Sequence, residues 1–309
     1  MIKRMRNRIS SQARRLVIAV LLVCGLGRHA RAQETNFNFQ AILEAAQNHD
    51  AKAQYELGRC YAEGHGVPRD YAKAVEYLNQ SAAQGYAPAQ TGLGSFYAHG
   101  MGVNQDYVTA LEWYRKAAIQ GDPLAQYSIG YAYAYGKGVP TNIDEAVKWW
   151  EKAGQLGQRY AQNALGQFYF HGAYPGDTNH INYTASAKWL LKAGDQGYLP
   201  AMNTLGFLYQ YGWGVGQDWT EAGKWYRYAA EHGDANAQAS LGLMYEDGQG
   251  GLPHDKVQAY KWFVLSANQG NAEGRHDVFE FKSHQAITPD QIAEAERLAA
   301  EFQAKQLTN

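Results

Sequence analysis

The sequence predicts an all-α protein in which helix hairpins stack into a solenoid. The first observation is a recurring Leu-Gly pair. Its glycine lies at Gly58, Gly94, Gly130, Gly166, Gly206 and Gly242, with spacings of 36, 36, 36, 40 and 36 residues. The second observation is a glycine that closes each period, at Gly85, Gly121, Gly157, Gly197, Gly233 and Gly270. A fixed period of this length is typical of stacked repeat units.

The first 32 residues predict a cleavable signal peptide. A basic stretch precedes an apolar run from Leu16 to Leu26, which is too short to span a bilayer comfortably. Ala30-Arg31-Ala32 places small residues at −3 and −1, so we expect cleavage before Gln33. The alternatives are an uncleaved anchor, a twin-arginine signal at Arg14-Arg15 and a lipoprotein site at Cys24.

Removing this segment changes the charge of the chain. The full sequence carries 28 Lys/Arg and 29 Asp/Glu, a formal net charge of −1. Eight of the basic residues and none of the acidic ones precede Gln33, which leaves 20 basic and 29 acidic residues, net −9. An acidic chain without a basic stripe argues against nucleic acid or an anionic membrane as the partner. Cys60 is the one cysteine left, and we interpret it as a buried apolar residue, not a reactive thiol.

The first helix of each repeat contains the Leu-Gly pair. In the second copy, Ala89, Leu93 and Tyr97 stand four apart and therefore lie on one helix face. Gly100 and Gly102 then end the helix. A glycine inside a helix costs about 1 kcal/mol relative to alanine. We therefore expect the backbone of the paired helix to pack closely against it.

The second helix of each repeat begins at an Asp or Asn. These six residues are Asp70, Asp106, Asn142, Asn182, Asp218 and Asp255. Both residue types are preferred N-caps because the side-chain oxygen accepts a hydrogen bond from a free backbone N–H. We interpret them as caps and not as catalytic carboxylates. An aromatic residue follows seven positions later, at Tyr77, Trp113, Trp149, Trp189, Trp225 and Trp262.

The A-x-x-x-L-G-x-x-Y-x-x-G-x-G-V core, the D-Y-x-x-A-x-x-W-Y-x-x-A-A stretch and the closing glycine resemble the Sel1-like repeat family, a relative of the tetratricopeptide repeat. The resemblance implies a right-handed α/α superhelix of antiparallel helix pairs. The six repeats are expected at 51–86, 87–122, 123–158, 159–198, 199–234 and 235–271.

Both ends of the array predict capping helices. Residues 33–50 predict an N-terminal cap in which His49 replaces the closing glycine. Residues 272–309 predict a C-terminal capping helix, and Thr288-Pro289-Asp290-Gln291 is a start signal with a capping box. In the fourth repeat the loop Gly172–Asn182 is four residues longer than its counterparts. Such an insertion lies on the surface and is either functional or merely tolerated.

The sequence contains none of the motifs H-E-x-x-H, paired C-x-x-C, Walker loop, G-x-S-x-G or S-x-x-K. We therefore predict no catalytic residue, no metal and no cofactor. His171 and His180 flank the long loop, but two histidines alone do not predict a metal site.

A surface is the better candidate for a functional site. The first helices conventionally line the concave side of such solenoids. The predicted partner-binding residues there are Tyr55, Arg59, Tyr127, Tyr131, Tyr135, Gln167, His171, Phe207 and Tyr211. Aromatic side chains that the core does not use are typical of binding surfaces. The alternative is that Tyr131 and Phe207 simply pack between helices.

The sequence therefore predicts a non-enzymatic scaffold or adaptor, periplasmic or secreted, that binds a peptide or protein segment along the concave face. One alternative is a hydrolase, because a cysteine-rich branch of the resembled family is associated with β-lactam binding and hydrolysis. That branch carries a cysteine pair in each repeat, which this sequence lacks. A second alternative is binding of cell-wall glycan. The sequence does not indicate an oligomeric state.

Overall fold

The structure, a computed structural model, describes residues 39–173, 177–284 and 286–308. The predicted signal peptide lies outside these residues. The described residues form fifteen helices and no strand, which confirms the predicted all-α class. Helix α1 (Phe39–Gln47) is followed by six hairpins, each with a first helix (A helix) and a second helix (B helix).

The hairpins are α2 (Ala51–Glu63) with α3 (Tyr71–Ala83), α4 (Ala87–His99) with α5 (Tyr107–Ile119), α6 (Pro123–Tyr135) with α7 (Ile143–Gln155), α8 (Arg159–His171) with α9 (Tyr183–Gly194), α10 (Leu199–Tyr211) with α11 (Trp219–Glu231), and α12 (Ala235–Asp247) with α13 (Lys256–Asn268). Two further helices follow, α14 (Ala272–Ser283) and α15 (Pro289–Thr308).

The chain divides into two compact units, residues 1–161 and 162–309, with the boundary inside α8. Each unit has its own apolar core. One leucine or isoleucine from every A helix is fully buried there: Leu57, Leu93 and Ile129 in the first unit, and Leu165, Leu205 and Leu241 in the second. The core of each unit is thus supplied by the same position of successive repeats.

The predicted caps are confirmed at all six B helices. The Asp70 carboxylate accepts from the backbone N–H of Lys73, for example, and the Asn142 side chain accepts from that of Glu145. The glycine that follows an A helix has left-handed backbone geometry, as at Gly100 with φ 67°. The closing glycine does so too, as at Gly121 with φ 88°. Local sequence therefore determines where each helix begins and ends.

The glycine of the Leu-Gly pair makes the predicted close approach, but mainly to a side chain and not to backbone. A Cβ atom at Gly130 would lie 2.5 Å from Cδ1 of Trp150 and 3.0 Å from the backbone oxygen of Ala146. Trp150 is only 6% exposed, whereas Trp149, the aromatic residue that the pattern singled out, is half-buried. The expectation that backbone would be the main contact of this glycine was therefore wrong, because its main contact is the side chain of Trp150.

The same contact recurs in the other hairpins. The side chain that meets the glycine follows the recurring aromatic position directly in the sequence. The six pairs are Gly58 with Leu78, Gly94 with Tyr114, Gly130 with Trp150, Gly166 with Leu190, Gly206 with Tyr226, and Gly242 with Phe263. We call this arrangement the glycine notch.

A buried glutamine at one position of the A helix links several hairpins to the helix that precedes them. In the second hairpin, Gln90 Nε2 donates to the backbone oxygen of Ala82 at 3.2 Å, while Gln90 Oε1 accepts from Nε2 of Gln120 at 2.9 Å. The same pair of bonds joins Gln54 to Ala46 and Gln84, and Gln238 to Ala230 and Gln269. Each buried amide is thereby satisfied at both ends, as buried polar groups require.

This glutamine pairing is incomplete in the third hairpin. Leu156 stands where the other hairpins place the donor glutamine, and its side chain is 58% exposed. Gln126 still donates to the backbone oxygen of Ala118 at 3.4 Å, but its buried Oε1 has no hydrogen-bond partner. In the fifth hairpin both partners differ, since Met202 and His232 occupy the two positions.

The described residues at both ends of the array form helices, α1 before the first hairpin and α14 and α15 after the last. His49 adopts a left-handed conformation, φ 64°, in place of the closing glycine. At the other end, Thr288 and Gln291 form the predicted capping box, with backbone-to-side-chain bonds of 3.0 and 3.3 Å. The region expected to form one C-terminal helix contains two, because Asn271 caps a further helix, α14.

We predict that Gly130→Ala destabilises the chain by about 1–3 kcal/mol, because the added methyl group overlaps Trp150. Urea denaturation would measure the loss. The matched control is Gly216→Ala, since a Cβ there meets no atom within 4 Å. Equal midpoints for Gly130→Ala and the parent chain would contradict the role of the glycine notch.

We predict that Leu156→Gln stabilises the chain by about 1 kcal/mol, because the new amide supplies the hydrogen bond that Gln126 Oε1 lacks. The midpoint of urea unfolding should rise while its slope stays unchanged. Gln120→Leu makes the opposite change in the second hairpin and should lower the midpoint. A midpoint for Leu156→Gln at or below that of the parent would refute the missing bond.

Candidate binding surfaces

The A helices of the first three hairpins, α2, α4 and α6, line a groove in the first unit. The middle helix contributes small residues to it, Thr91, Gly92 and Ser95, whereas the flanking helices contribute Tyr55 and Tyr131. The groove has a volume of about 640 Å³, which lies in the range of ligand-binding sites. It exists because the middle helix carries small residues at two repeat positions where the flanking helices carry large ones: Thr91 stands between Tyr55 and Tyr127, and Ser95 between Arg59 and Tyr131.

One wall of the groove combines a tyrosine with a paired arginine. Arg59 lies 6.0 Å from the ring centroid of Tyr55, and its guanidinium contacts the carboxylates of Glu63 at 3.1 Å and Glu56 at 3.4 Å. The Tyr55 ring packs edge-on against Tyr86 at 5.5 Å. Because two carboxylates already neutralise Arg59, this wall presents apolar ring surface and no open anion site.

The other wall consists of tyrosines from α6. The rings of Tyr131 and Tyr135 lie 4.5 Å apart, and Tyr135 is 42% exposed. Burial raises the pKa of Tyr131 and of Tyr135 above the ordinary tyrosine value. Tyrosine hydroxyls already carry their proton at neutral pH, and both can donate a hydrogen bond there. Tyr127 is only 7% exposed and packs 5.8 Å from Tyr160, so it also serves the core of its unit.

The remaining predicted residues lie in the second unit. Gln167 Nε2 donates to Thr204 Oγ1 at 2.9 Å, which ties α8 to α10. Phe207 and Tyr211 lie together, with ring centroids 4.6 Å apart. The ring of His171 is half-buried against the neighbouring Phe170 at 4.7 Å. The predicted stripe is therefore brought together within each unit, and its role in binding stays a prediction.

Sequence reasoning missed a cluster of five rings in the second unit, which we call the aromatic box: Phe170, Tyr183, Phe207, Tyr211 and Trp213. Trp213 lies next to all four other rings, with centroid distances of 4.7 Å to Tyr183, 5.3 Å to Phe207, 5.9 Å to Tyr211 and 6.3 Å to Phe170. The available signal was the tryptophan between the two loop glycines Gly212 and Gly214, where other repeats carry His, Met, Lys or Gln.

In the long loop of the fourth repeat, one buried carboxylate connects the described residues 173 and 177–180. Asp177 accepts hydrogen bonds from the backbone N–H groups of Ala173 and Asn179, at 2.8 and 3.0 Å, and pairs with His180 Nδ1 at 2.6 Å. The bond from Ala173 stabilises the ionised form most, and those with His180 and Asn179 add to it, so the pKa of Asp177 is lowered although burial opposes the shift. These three bonds of Asp177, all within the loop, explain the position of its carboxylate without a ligand or metal.

The described residues contain no group of three or more His, Cys, Asp or Glu side chains arranged to hold a metal ion. Among the helices of these same ranges, none combines the length and apolar character that a membrane span requires. Cys60 is buried, as predicted, and burial raises the pKa of its thiol.

Comparison with known proteins agrees with the hairpin period. The family model described as the Sel1 repeat matches six times, at residues 51–86, 87–122, 123–158, 159–198, 199–234 and 235–271. The chain belongs to the Sel1 repeat family. The predicted resemblance is thereby confirmed, and Sel1 repeat proteins typically mediate protein–protein interaction.

Two solved structures are similar to this Sel1 repeat chain. One is a protective antigen present in uropathogenic Escherichia coli strains and displaying an SLR fold, with 34% identity and a TM-score of 0.71. That match covers 86% of this chain and 56% of the antigen, so the chain spans little more than half of that protein. The other is a Sel1 repeat protein from Oxalobacter formigenes, with 28% identity and a TM-score of 0.67, covering 75% of this chain and 98% of that one. Comparison with curated protein sequences returns no match.

We predict that burial of His171 makes this Sel1 repeat protein less stable as the pH falls. Burial disfavours the charged imidazole and lowers its pKa from 6.5 to about 4. Between these values the unfolded chain binds a proton that the folded chain does not, so stability falls from pH 6.5 toward pH 4. His171→Gln should show a shallower loss of melting temperature over this range.

The matched control for this measurement is His276→Gln, because His276 is exposed on the surface of the second unit. Its melting temperature should follow pH as that of the parent chain does. Identical pH dependence for His171→Gln and the parent would show that His171 is not held neutral by burial.

Proposed function

We propose that this Sel1 repeat chain is an exported, non-enzymatic scaffold that binds a peptide or protein segment along the stripe of its A helices. The family supplies the general role in protein interaction. The residues proposed to make the contact are those of the groove in the first unit and of the stripe in the second.

The main support for this proposal is the groove that the A helices of the first three hairpins line. Its lining combines tyrosine rings with small side chains and a few polar groups, such as the hydroxyl of Ser95. A cleft with this composition suits a protruding apolar or aromatic side chain of a partner. Aromatic anchors in desolvated pockets supply much of the energy of protein interfaces.

The proposed location outside the cytoplasm is supported by the first 32 residues, which have the basic start, the apolar run and the small residues of a signal peptide. Removal of this segment would leave a chain with a net charge of −9 from 20 basic and 29 acidic residues. An acidic surface favours a protein partner over nucleic acid or anionic lipid.

The proposal of a non-enzymatic role is supported by the structural roles of the carboxylate side chains and by the burial of the one thiol in residues 33–309. The B-helix aspartates accept backbone hydrogen bonds as caps, and Asp177 holds a loop together. Cys60 is buried with a raised thiol pKa, which disfavours the nucleophilic thiolate. The hydrolase alternative rests on cysteine pairs in each repeat, and residues 33–309 contain Cys60 alone.

We predict that Tyr131→Ala weakens peptide binding about tenfold or more, because it removes an aromatic wall of the groove. Peptides would be selected from a displayed random library on the purified chain, and their affinities measured by fluorescence anisotropy. Tyr228→Ala is the matched control, since it removes a 45% exposed tyrosine from a B helix.

The control variant should retain the affinity of the parent, and circular dichroism should show that both variants fold. Selected peptides that bind Tyr131→Ala as tightly as the parent would rule out the groove as the binding site. Turnover of a chromogenic β-lactam by the pure chain would overturn the non-enzymatic role.

A further inference from the structure

The groove of the first unit runs along the whole length of α4. The residues of α4 that line it extend from Pro88 to His99, which is about 16 Å, or three turns, at 1.5 Å per residue. Thr91, Ser95 and Ala98 stand four and three apart, so these small residues share one face of α4 and form the floor. The groove is therefore elongated and parallel to the axis of α4.

The size of the groove matches one face of a second helix. A helix of three turns and 10 Å diameter, set in to half its depth, fills about 600 Å³. The volume of the groove is about 640 Å³. Small floor residues let a helix approach α4 closely, because the distance between packed helices depends on the side chains at the contact. Tyr55 of α2 and Tyr131 of α6 would then lie along its two flanks.

Several polar side chains that line the groove already form hydrogen bonds within the chain. Ser128 Oγ donates to the backbone oxygen of Leu124 at 2.8 Å. Gln105 Nε2 donates to that of Ala98, also at 2.8 Å, and two carboxylates hold the guanidinium of Arg59. An extended segment has N–H and C=O groups along its whole length, and these need partners when they are buried. A helix bonds them internally except at its ends, so this lining favours a helical ligand.

One cation of the groove remains available to a ligand. A Cβ at Gly138 would lie 2.6 Å from the backbone oxygen of Tyr107, so the loop packs tightly on the start of α5. This packing holds Nζ of the neighbouring Lys137 4.9 Å from the centroid of the Tyr107 ring, within the range of a cation–π interaction. Lys137 lines the groove, and its ammonium group forms no ion pair with a carboxylate of the described residues. Arg59, in contrast, is paired twice.

We propose that the groove of the first unit binds an amphipathic α-helix of the partner. Its apolar face lies on α4 between α2 and α6, and one of its acidic residues pairs with Lys137. This inference rests on the proposed function, and it adds the conformation and the charge of the segment that is recognised. The pairing would supply the carboxylate that Lys137 lacks, while the tyrosines cover the flanks of the bound helix.

The test of conformation uses the peptides selected on the purified chain whose binding Tyr131→Ala weakens. A single proline in the middle of such a peptide should lower its affinity about tenfold or more, because proline breaks the interior of a helix. The matched control places the proline at the first helical position, where a helix tolerates it, and should bind like the parent peptide. Circular dichroism should also show that the peptide gains helix when the chain is added.

The test of charge uses Lys137→Gln, which should weaken the same peptides about threefold or more, since a charge-assisted bond is lost. Changing their acidic residues one at a time to amides should identify one whose loss weakens binding to the parent chain but not to Lys137→Gln. Lys116→Gln is the matched control. Its ammonium group also lies over a ring, 3.9 Å from the centroid of Trp113, but on a B helix outside the groove. It should leave the affinity unchanged.

The inference is overturned if the central proline leaves the affinity unchanged, or if Lys137→Gln binds the peptides as tightly as the parent chain. In both cases Tyr131→Ala still weakens binding, so the groove remains the binding site and the proposed function stands. Selected peptides that bind Tyr131→Ala like the parent would instead overturn the proposed function, and this inference with it.

Discussion

The fold depends on one contact, the packing of a B-helix side chain onto the glycine of the Leu-Gly pair. At Gly130 the Trp150 ring occupies the space that a Cβ would need. The intrinsic cost of glycine in a helix is about 1 kcal/mol relative to alanine. Close packing of a large side chain against the helix offsets that cost, because dispersion contacts accumulate over the whole ring. The six-fold recurrence of this glycine follows from the six-fold recurrence of the contact.

The positions that form the glycine notch are the same in every hairpin, whereas other positions of the A helices vary from repeat to repeat. The notch, the buried Leu or Ile and the Asp or Asn caps repeat with little change in every hairpin. The outer positions of the A helices differ strongly, from Tyr131 in the third hairpin to Ser95 in the second. That difference produces the groove of the first unit. Function can therefore diversify on the A helices without disturbing the packing of the hairpins.

The sequence was sufficient for the features that depend on local geometry. The Asp70 cap and the left-handed glycines were predicted because one residue type and one turn determine them. Features that depend on neighbouring repeats were missed. The bond from Gln90 to the backbone oxygen of Ala82 joins two successive hairpins, and the aromatic box needs Trp213 of one loop to meet Tyr183 of the preceding hairpin. A repeat-by-repeat alignment shows both positions, but only the structure shows that they meet.

The most direct test of this account is the nuclear Overhauser effect between the Hα protons of Gly130 and the indole Hδ1 proton of Trp150. The glycine notch predicts a strong cross-peak and a ring-current shift of the Gly130 Hα resonances, because Cδ1 of the Trp150 ring lies 2.5 Å from the position that a Gly130 Cβ would take. The Hα protons of Gly216, which face no side chain, should give no such cross-peak. A folded chain in which Gly130 shows neither the cross-peak nor the shift would contradict the glycine notch as the basis of the fold.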